Sequence, residues 1–304
     1  MKPHILIVHY SQTGQLSAIL KSLTSELAAH ASIEWQEIRP VKPFPFPWTK
    51  DVFFDCMPEC VLEIPEEIQE IRPGRTNYDL VILGYQPWFL SPSIPMNSFL
   101  QSPAASVLRN TPVITVLGAR NMWLNAQERI KARLLTLGAH LKGHIVLRDK
   151  HPNLTSLLTV IRWSFKGRKE AGKWLPEAGV SAPDIAECRR FAAPILQFLK
   201  SGGNLQQELL HAGAIDLDPA LVVLEKRGIT NFRKFAPWIR QKGPRGASDR
   251  QPRVKLFSRL LLTGIFILSP ISNLTARMSM ILNRKKLASE VEYFRGISYR
   301  ENAI

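Results

Sequence analysis

Apolar residues fill positions 5–8 of the chain without a break, in the stretch His4-Ile5-Leu6-Ile7-Val8. A continuous run of this length predicts a strand buried on both faces, as in the middle of a parallel sheet. Polar residues then hold positions 9–15. From there apolar residues recur at Leu16, Ile19, Leu20, Leu23 and Leu27, the spacing of one helix face. Further strand-like blocks lie at 32–40, 78–86, 112–119 and 143–149. A helix is predicted over 125–138, with Ala126, Ile130, Leu134 and Leu137 on one face and Gly138 as its stop. A short helix is expected at 65–71. Another starts at a Ser181-x-x-Asp184 cap, carries Ile185, Cys188, Ala192, Ile195 and Leu199, kinks at Pro194 and stops at Gly202. The stretch 41–60 is expected to be irregular, because Pro43, Pro45 and Pro47 remove donors and restrict their neighbours. Five short buried strands separated by helices and loops predict an α/β protein with a doubly wound, five-stranded parallel sheet.

At 304 residues the chain exceeds one small domain. The pattern divides it into a sheet domain, 1–203, with an insertion at about 150–180 that holds Trp163, Phe165 and Trp174, and a mostly helical extension, 204–304. Charge follows that division. Residues 1–150 hold 15 Lys and Arg against 13 Asp and Glu, whereas 151–304 hold 25 against 12, nearly all of the formal +15. The segment 241–253 lacks periodicity and reads as a linker or exposed loop. The apolar-rich run Leu260–Leu268 that follows is too short for a bilayer span of about 20 residues. With Arg253, Lys255 and Arg259 before it and Arg284, Lys285 and Lys286 beyond, 256–282 suits a membrane surface, a dimer partner or a substrate, and the pattern leaves these open. The basic residues are dispersed without a recognition motif, which speaks against nucleic acid. An odd number of cysteines and no secretory leader pattern suit a reducing cytoplasmic setting. Cys56 and Cys60 lack a second pair at zinc spacing, so no metal site is assigned.

The polar block between the first strand and first helix is the chemical signal. A strand-to-helix turn exposes free backbone amides at a helix N-terminus, which is a ready anion site. Neither GxGxxG nor GxxxxGK[ST] is present, and the loop holds no Lys or Arg. Its donors are amides and the hydroxyls of Ser11, Thr13 and Ser17, with Gly14 permitting close approach. That inventory suits a monophosphate ester.

The loop Ser11-Gln12-Thr13-Gly14-Gln15-Leu16 resembles the first loop of the flavodoxin-like flavoproteins, Ser/Thr-x-Thr-Gly-Asn-Thr, and departs from it at the last two positions. The resemblance implies a flavodoxin-like sheet and an FMN cofactor. It also implies that the loops after the third and fourth strands flank the flavin ring. Those loops carry Gln86, Pro87, Trp88 and Phe89, then Gly118, Ala119, Arg120, Asn121 and Trp123, with Trp88 and Phe89 as candidate stacking faces and the second group at the carboxyl end where ligands of such sheets bind. In place of the last hydroxyl stands Leu16, with Ser17 one residue on.

"YSQTGQL", "PSIPMNSFL", the 118–123 loop and the long basic extension are similar to the flavodoxin-like aromatases of dialkylresorcinol and stilbene biosynthesis, also known as dialkylresorcinol condensing enzymes. This likeness implies FMN-dependent oxidation of a 2,5-disubstituted cyclohexane-1,3-dione to a resorcinol, in secondary metabolism beside a ketosynthase-type cyclase. An apolar extension on the core agrees with a greasy substrate. The rival functions are an NAD(P)H-dependent quinone or flavin reductase and a flavodoxin-type electron carrier. His9 and Tyr10 end the first strand, and Asp149 and His151 end the fifth. His151 is the first candidate for proton transfer, ahead of His9 and Tyr10, because imidazole titrates near neutrality.

Overall fold

The computed structural model describes residues 2–282 and 284–304, without the side chains of 267–282. Its strands are β1 (His4–His9), β2 (Ser32–Glu37), β3 (Leu80–Tyr85), the two-residue β4 (Pro87–Trp88) and β5 (Ser91–Pro92), β6 (Pro112–Ala119) and β7 (His140–Arg148). Five of them form one parallel sheet in the order β2-β1-β3-β6-β7. The two small strands pair separately as an antiparallel hairpin. β1 and β3 lie at the centre and are apolar on both faces, as their uninterrupted runs require. The order reverses direction between β1 and β3. This is the flavodoxin-type doubly wound arrangement, whose ligand crevice opens at the carboxyl ends of those two strands.

The helices are α1 (Gln15–Thr24), α2 (Leu27–His30), α3 (Lys50–Asp55), α4 (Met57–Val61), α5 (Ile94–Leu100), α6 (Leu124–Thr136), α7 (Asn153–Lys166), α8 (Ala182–Ala186), α9 (Ala192–Ser201), α10 (Leu205–His211), α11 (Pro219–Arg240), α12 (Gln251–Leu282) and α13 (Arg284–Arg295). α1 sinks Leu16, Ile19, Leu20 and Leu23 onto the sheet, the stripe its spacing predicted. Gly84 permits that approach: a Cβ there would stand 2.6 Å from Leu20 Cδ1 and 2.9 Å from His9 Cβ. Residues 204–304 dock on the sheet domain at several points. Gln206 Oε1 accepts the His144 amide at 2.8 Å, and the Ala214 carbonyl accepts the Val146 amide at 2.8 Å, which satisfies the outer edge of β7.

Three local expectations are corrected. The segment 65–71 is extended rather than helical. Its backbone groups pair with 39–41, through Gln69 N–H to the Arg39 carbonyl (2.7 Å) and Val41 N–H to the Glu67 carbonyl (3.0 Å). The stretch 41–60 is irregular only through its prolines. Thr49 caps α3 by accepting the Val52 amide at 3.4 Å, and Pro58 sits in the first turn of α4, where no N–H is needed. Finally, Ser181 caps α8 as predicted, but the helix is not one kinked rod. A 3₁₀ turn at Glu187–Phe191 separates α8 from α9, and Pro194 falls in the first turn of α9. The apolar run Leu260–Leu268 is helical in α12, and the side chains of Ile267 and Leu268 lie outside the described residues.

Candidate functional site

At the carboxyl end of β1 the chain turns through Tyr10–Gly14 into α1. Gly14 is the N-cap, with φ +79°, and has no side chain of its own to cap the helix. A Cβ at Gly14 would meet nothing within 4 Å, so its place is open. Two hydroxyls stand at the helix mouth on long bonds: Ser11 Oγ accepts the Ser17 amide at 3.4 Å and Thr13 Oγ1 accepts the Gln15 amide at 3.5 Å. Helix-start amides and hydroxyls without a competing carboxylate can hold a phosphate.

The rest of the loop is fixed by its neighbours. Gln86 Oε1 accepts the Gln12 amide at 2.9 Å, tying the β1 loop to the β3 loop. The Gln12 side chain donates to the carbonyls of Phe44 (3.2 Å) and Pro45 (3.0 Å) and accepts from the Tyr10 hydroxyl. Gln15 bonds Val180 in both directions, each at 3.1 Å, and is a brace, not a ligand side chain. Leu16 is core. Ser17 turns its hydroxyl to His9 Nε2 at 3.1 Å, so phosphate contact there falls to the α1 amides rather than to this hydroxyl.

After β3 comes a tight hairpin. Trp88, half-buried, meets Phe44, Trp48 and Tyr10 edge-on at centroid distances of 5.1, 5.2 and 5.7 Å. The irregular 41–49 segment therefore supplies half of an aromatic wall. The turn itself is Phe89-Leu90, with φ +48° and +61°. Bulky residues in the left-handed region cost about 1–2 kcal/mol each, so tertiary contacts hold the turn. Phe89 packs on Phe53 (4.8 Å), Phe232 (6.1 Å) and Phe54 (6.5 Å). Asn125 Nδ2 donates to the Leu90 carbonyl at 2.8 Å. Phe89 is thus a packing residue and not a free stacking face.

After β6, Gly118 and Ala119 end the strand and Arg120 turns back to α7, donating to the Asn153 carbonyl (3.1 Å) and Oδ1 (2.8 Å). Burial pulls the Arg120 guanidinium down to about 10, with Asp149 opposing. Asn121 Nδ2 donates to the same Asn153 Oδ1 at 2.7 Å, while Asn121 Oδ1 is buried without a partner. Trp123 departs from expectation: it is 1% exposed and packs against His144 at 5.0 Å. Its place is the core, because Glu225 of α11 binds its backbone amide and fixes the start of α6.

Beside this loop, the Asp149 amide donates to the Ala119 carbonyl at 3.1 Å. Asp149 is buried. Oδ1 accepts from the His151 amide (2.9 Å) and ring Nδ1 (2.7 Å), and Oδ2 accepts from Ser156 Oγ (2.7 Å). With Nδ1–H donating, Nε2 of the half-buried His151 is left as the proton acceptor. His9 does not join it. Its ring lies on the α1 face against Ser17 and Trp35 (5.5 Å), lining a separate cleft of 630 Å³ with Lys21 and Arg39, and burial lowers its pKa. Tyr10 donates to Gln12, and burial drives its pKa up, away from proton transfer at neutral pH. A cleft of 600 Å³ at the amino edge, by Lys2, His30 and Asp79, is on the wrong end of the sheet for a ligand of this fold.

The sheet order, with the loops after β1, β3 and β6 at its carboxyl edge, defines a doubly wound α/β protein. No family model and no curated protein matches the chain. Among solved structures it is similar to a flavoprotein in complex with FMN from Lactobacillus acidophilus NCFM (19% identity, 47% of this chain and 93% of that one, TM-score 0.37). It is also similar to a putative flavoprotein from Bacteroides eggerthii DSM 20697 (17%, 49% and 91%, TM-score 0.40) and to a flavodoxin from the domain Archaea (10%, 65% and 99%, TM-score 0.34). With every score below 0.5, the fold rests on this chain's own strand order.

Asn153, Glu225 and the Phe44–Trp48 wall carry weight in the site that no sequence motif announced. The Asp149-x-His151 spacing was the one visible trace of the acid–imidazole pair.

Proposed function

We propose that the chain binds FMN with its phosphate at Ser11–Gly14 and the first amides of α1, and oxidises an apolar cyclic dione to an arene. The observation that carries this reading is the buried Asp149 holding His151 Nδ1 at 2.7 Å beside the 119–123 loop. An electron carrier has no use for an oriented proton acceptor, whereas an aromatisation needs one. The fit to FMN rests on the glycine turn at the helix mouth, the two hydroxyls that meet its first-turn amides only on long bonds, and the partnerless buried Asn121 Oδ1 near the ring loops.

FMN, when bound, supplies hydride acceptance. The chain's residues supply the rest. His151 Nε2 takes the proton from the carbon next to the one that loses hydride. A 2,5-disubstituted cyclohexane-1,3-dione that loses both tautomerises to the resorcinol with no other atom gained or lost. The wall of Phe44, Trp48 and Trp88 excludes water and accepts alkyl or aryl substituents. A ketosynthase-type cyclase would supply such a dione.

The test mixes the oxidised holoprotein anaerobically with a dialkylcyclohexanedione and follows loss of the flavin's visible absorbance. Wild type should bleach. His151→Ala should retain FMN and bleach about 100-fold more slowly, the usual size of a general-base effect. Bleaching by NAD(P)H and not by the dione would replace this reading with a reductase. An unchanged rate in His151→Ala would remove the histidine from the chemistry.

A further inference from the structure

The outward face of α12 is built unlike the rest of the surface. Over 251–266 the exposed positions are Pro252, Lys255, Leu256, Arg259, Leu260, Thr263 and Phe266, which recur at helical spacing and form one stripe. Leu256, Leu260 and Phe266 are 46%, 49% and 44% exposed. The opposite face is used: Val254 and Phe257 are buried, with Phe257 against Phe235 (5.5 Å), Phe232 (5.8 Å) and Phe54 (6.4 Å). The helix is thus anchored by one side while presenting apolar and basic side chains together on the other. Residues 251–282 contain no Asp or Glu. Lys255 and Arg259 have no ion pair among the described residues, and α13 opens with exposed Arg284, Lys285 and Lys286.

We infer that this face of α12 docks the protein on an anionic phospholipid surface. Charge decides among occupants. A second copy laid on the same stripe would bring Lys255 and Arg259 against like charges. A nucleic acid would satisfy the bases but leave Leu256, Leu260 and Phe266 facing a phosphate backbone. An anionic bilayer interface offers negative headgroups beside acyl chains, matching a stripe in which basic and apolar side chains sit side by side. No helix among the described residues is long and apolar enough to span a membrane.

The experiment floats the full-length holoprotein with vesicles of phosphatidylcholine alone or of phosphatidylcholine mixed with phosphatidylglycerol. The protein should rise with the mixed vesicles, stay behind with the neutral ones, and be released by added salt. Leu256→Glu/Leu260→Glu should weaken binding by about tenfold or more, and Lys255→Glu/Arg259→Glu should do the same. Circular dichroism and the flavin spectrum of both variants should match wild type. No flotation of wild type with anionic vesicles overturns the inference. So does a Leu256→Glu/Leu260→Glu variant that binds as well as wild type, which would leave a charge effect open to any polyanion. Sedimentation showing a dimer that this variant dissolves assigns the face to a second copy and overturns it as well. If duplex DNA binds to the Leu256→Glu/Leu260→Glu variant undiminished and displaces wild type from vesicles, nucleic acid takes the lipid's place.

Discussion

Glu225 offers the sharpest physical test of how the C-terminal helices govern the site. It is fully buried on α11, and its Oε2 and Oε1 accept the backbone amides of Trp123 (2.9 Å) and Asn125 (2.8 Å) at the start of α6. Trp123, the N-cap, provides no side-chain cap of its own. Burial pushes the Glu225 pKa from 4.5 up to about 7, against the opposing pull of the amides of Asn125, Leu124 and Trp123. In the unfolded chain the proton leaves near 4.5, and in the folded protein near 7. The folded state therefore holds the extra proton between these values. The stability from this group is full below about 4.5 and falls by about 3 kcal/mol as pH rises to about 7, at about 1.4 kcal/mol per unit. Glu225→Gln keeps an acceptor oxygen and cannot ionise. Relative to wild type it should gain about 2.5 kcal/mol between pH 5 and pH 8. Glu225→Ala leaves buried amides unpaired, each costing about 1–3 kcal/mol, and should lose about 2–5 kcal/mol at pH 5, a deficit that shrinks at pH 8 by the same amount as the Gln variant gains, because alanine cannot ionise either. Urea unfolding followed by tryptophan fluorescence at the two pH values measures all three proteins. If the Gln variant tracks wild type in pH dependence, Glu225 does not titrate in this window; if it is as damaged as the Ala variant at the same pH, the site needs the charge; either result refutes the reasoning.

Arg250 is fully buried between Asp55 (Nε to Oδ1, 2.7 Å) and Glu59 (Nη1 to Oε1, 2.7 Å; Nη2 to Oε2, 2.8 Å) and ties the start of α12 to α3 and α4. Arg250→Met strands two buried carboxylates and should cost about 3–5 kcal/mol, read as a lowered urea midpoint; Arg250→Lys should not restore it, since lysine lacks the forked donor. A loss under about 1 kcal/mol in Arg250→Met would show that the carboxylates find other partners. Thr13→Val removes a hydroxyl from the α1 mouth and should weaken FMN by about 1–3 kcal/mol in a fluorescence titration. Unchanged affinity would move the phosphate elsewhere.

The candidate site was partly readable in advance. The Ser11–Gly14 turn could be read because a buried strand, a polar gap with glycine and an amphipathic stripe are all local to some twenty residues. His151 and Asp149 could be read as strand-end candidates because a single residue, Lys150, separates them just after the fifth strand. The aromatic candidates could not be ranked in the same way. Trp88, Phe89 and Trp123 all follow strands, yet Trp88 borders the wall of Phe44 and Trp48, Phe89 packs on Phe53 and Phe232, and Trp123 is core against His144. Each outcome depends on a partner tens of residues away.

The sequence by itself determined the parallel sheet, its principal helices, the glycine turn into α1 and the concentration of positive charge in the second half. Each follows from hydrophobic period, helix-start chemistry or composition, which act within a segment. Only the tertiary structure decided that α11 sets the start of α6 through Glu225, that 41–49 becomes a wall of the crevice, and that α12 keeps its basic and apolar stripe outside. Those outcomes turn on which distant surface removes a given side chain from water, and burial of that kind has no signature in the neighbouring residues.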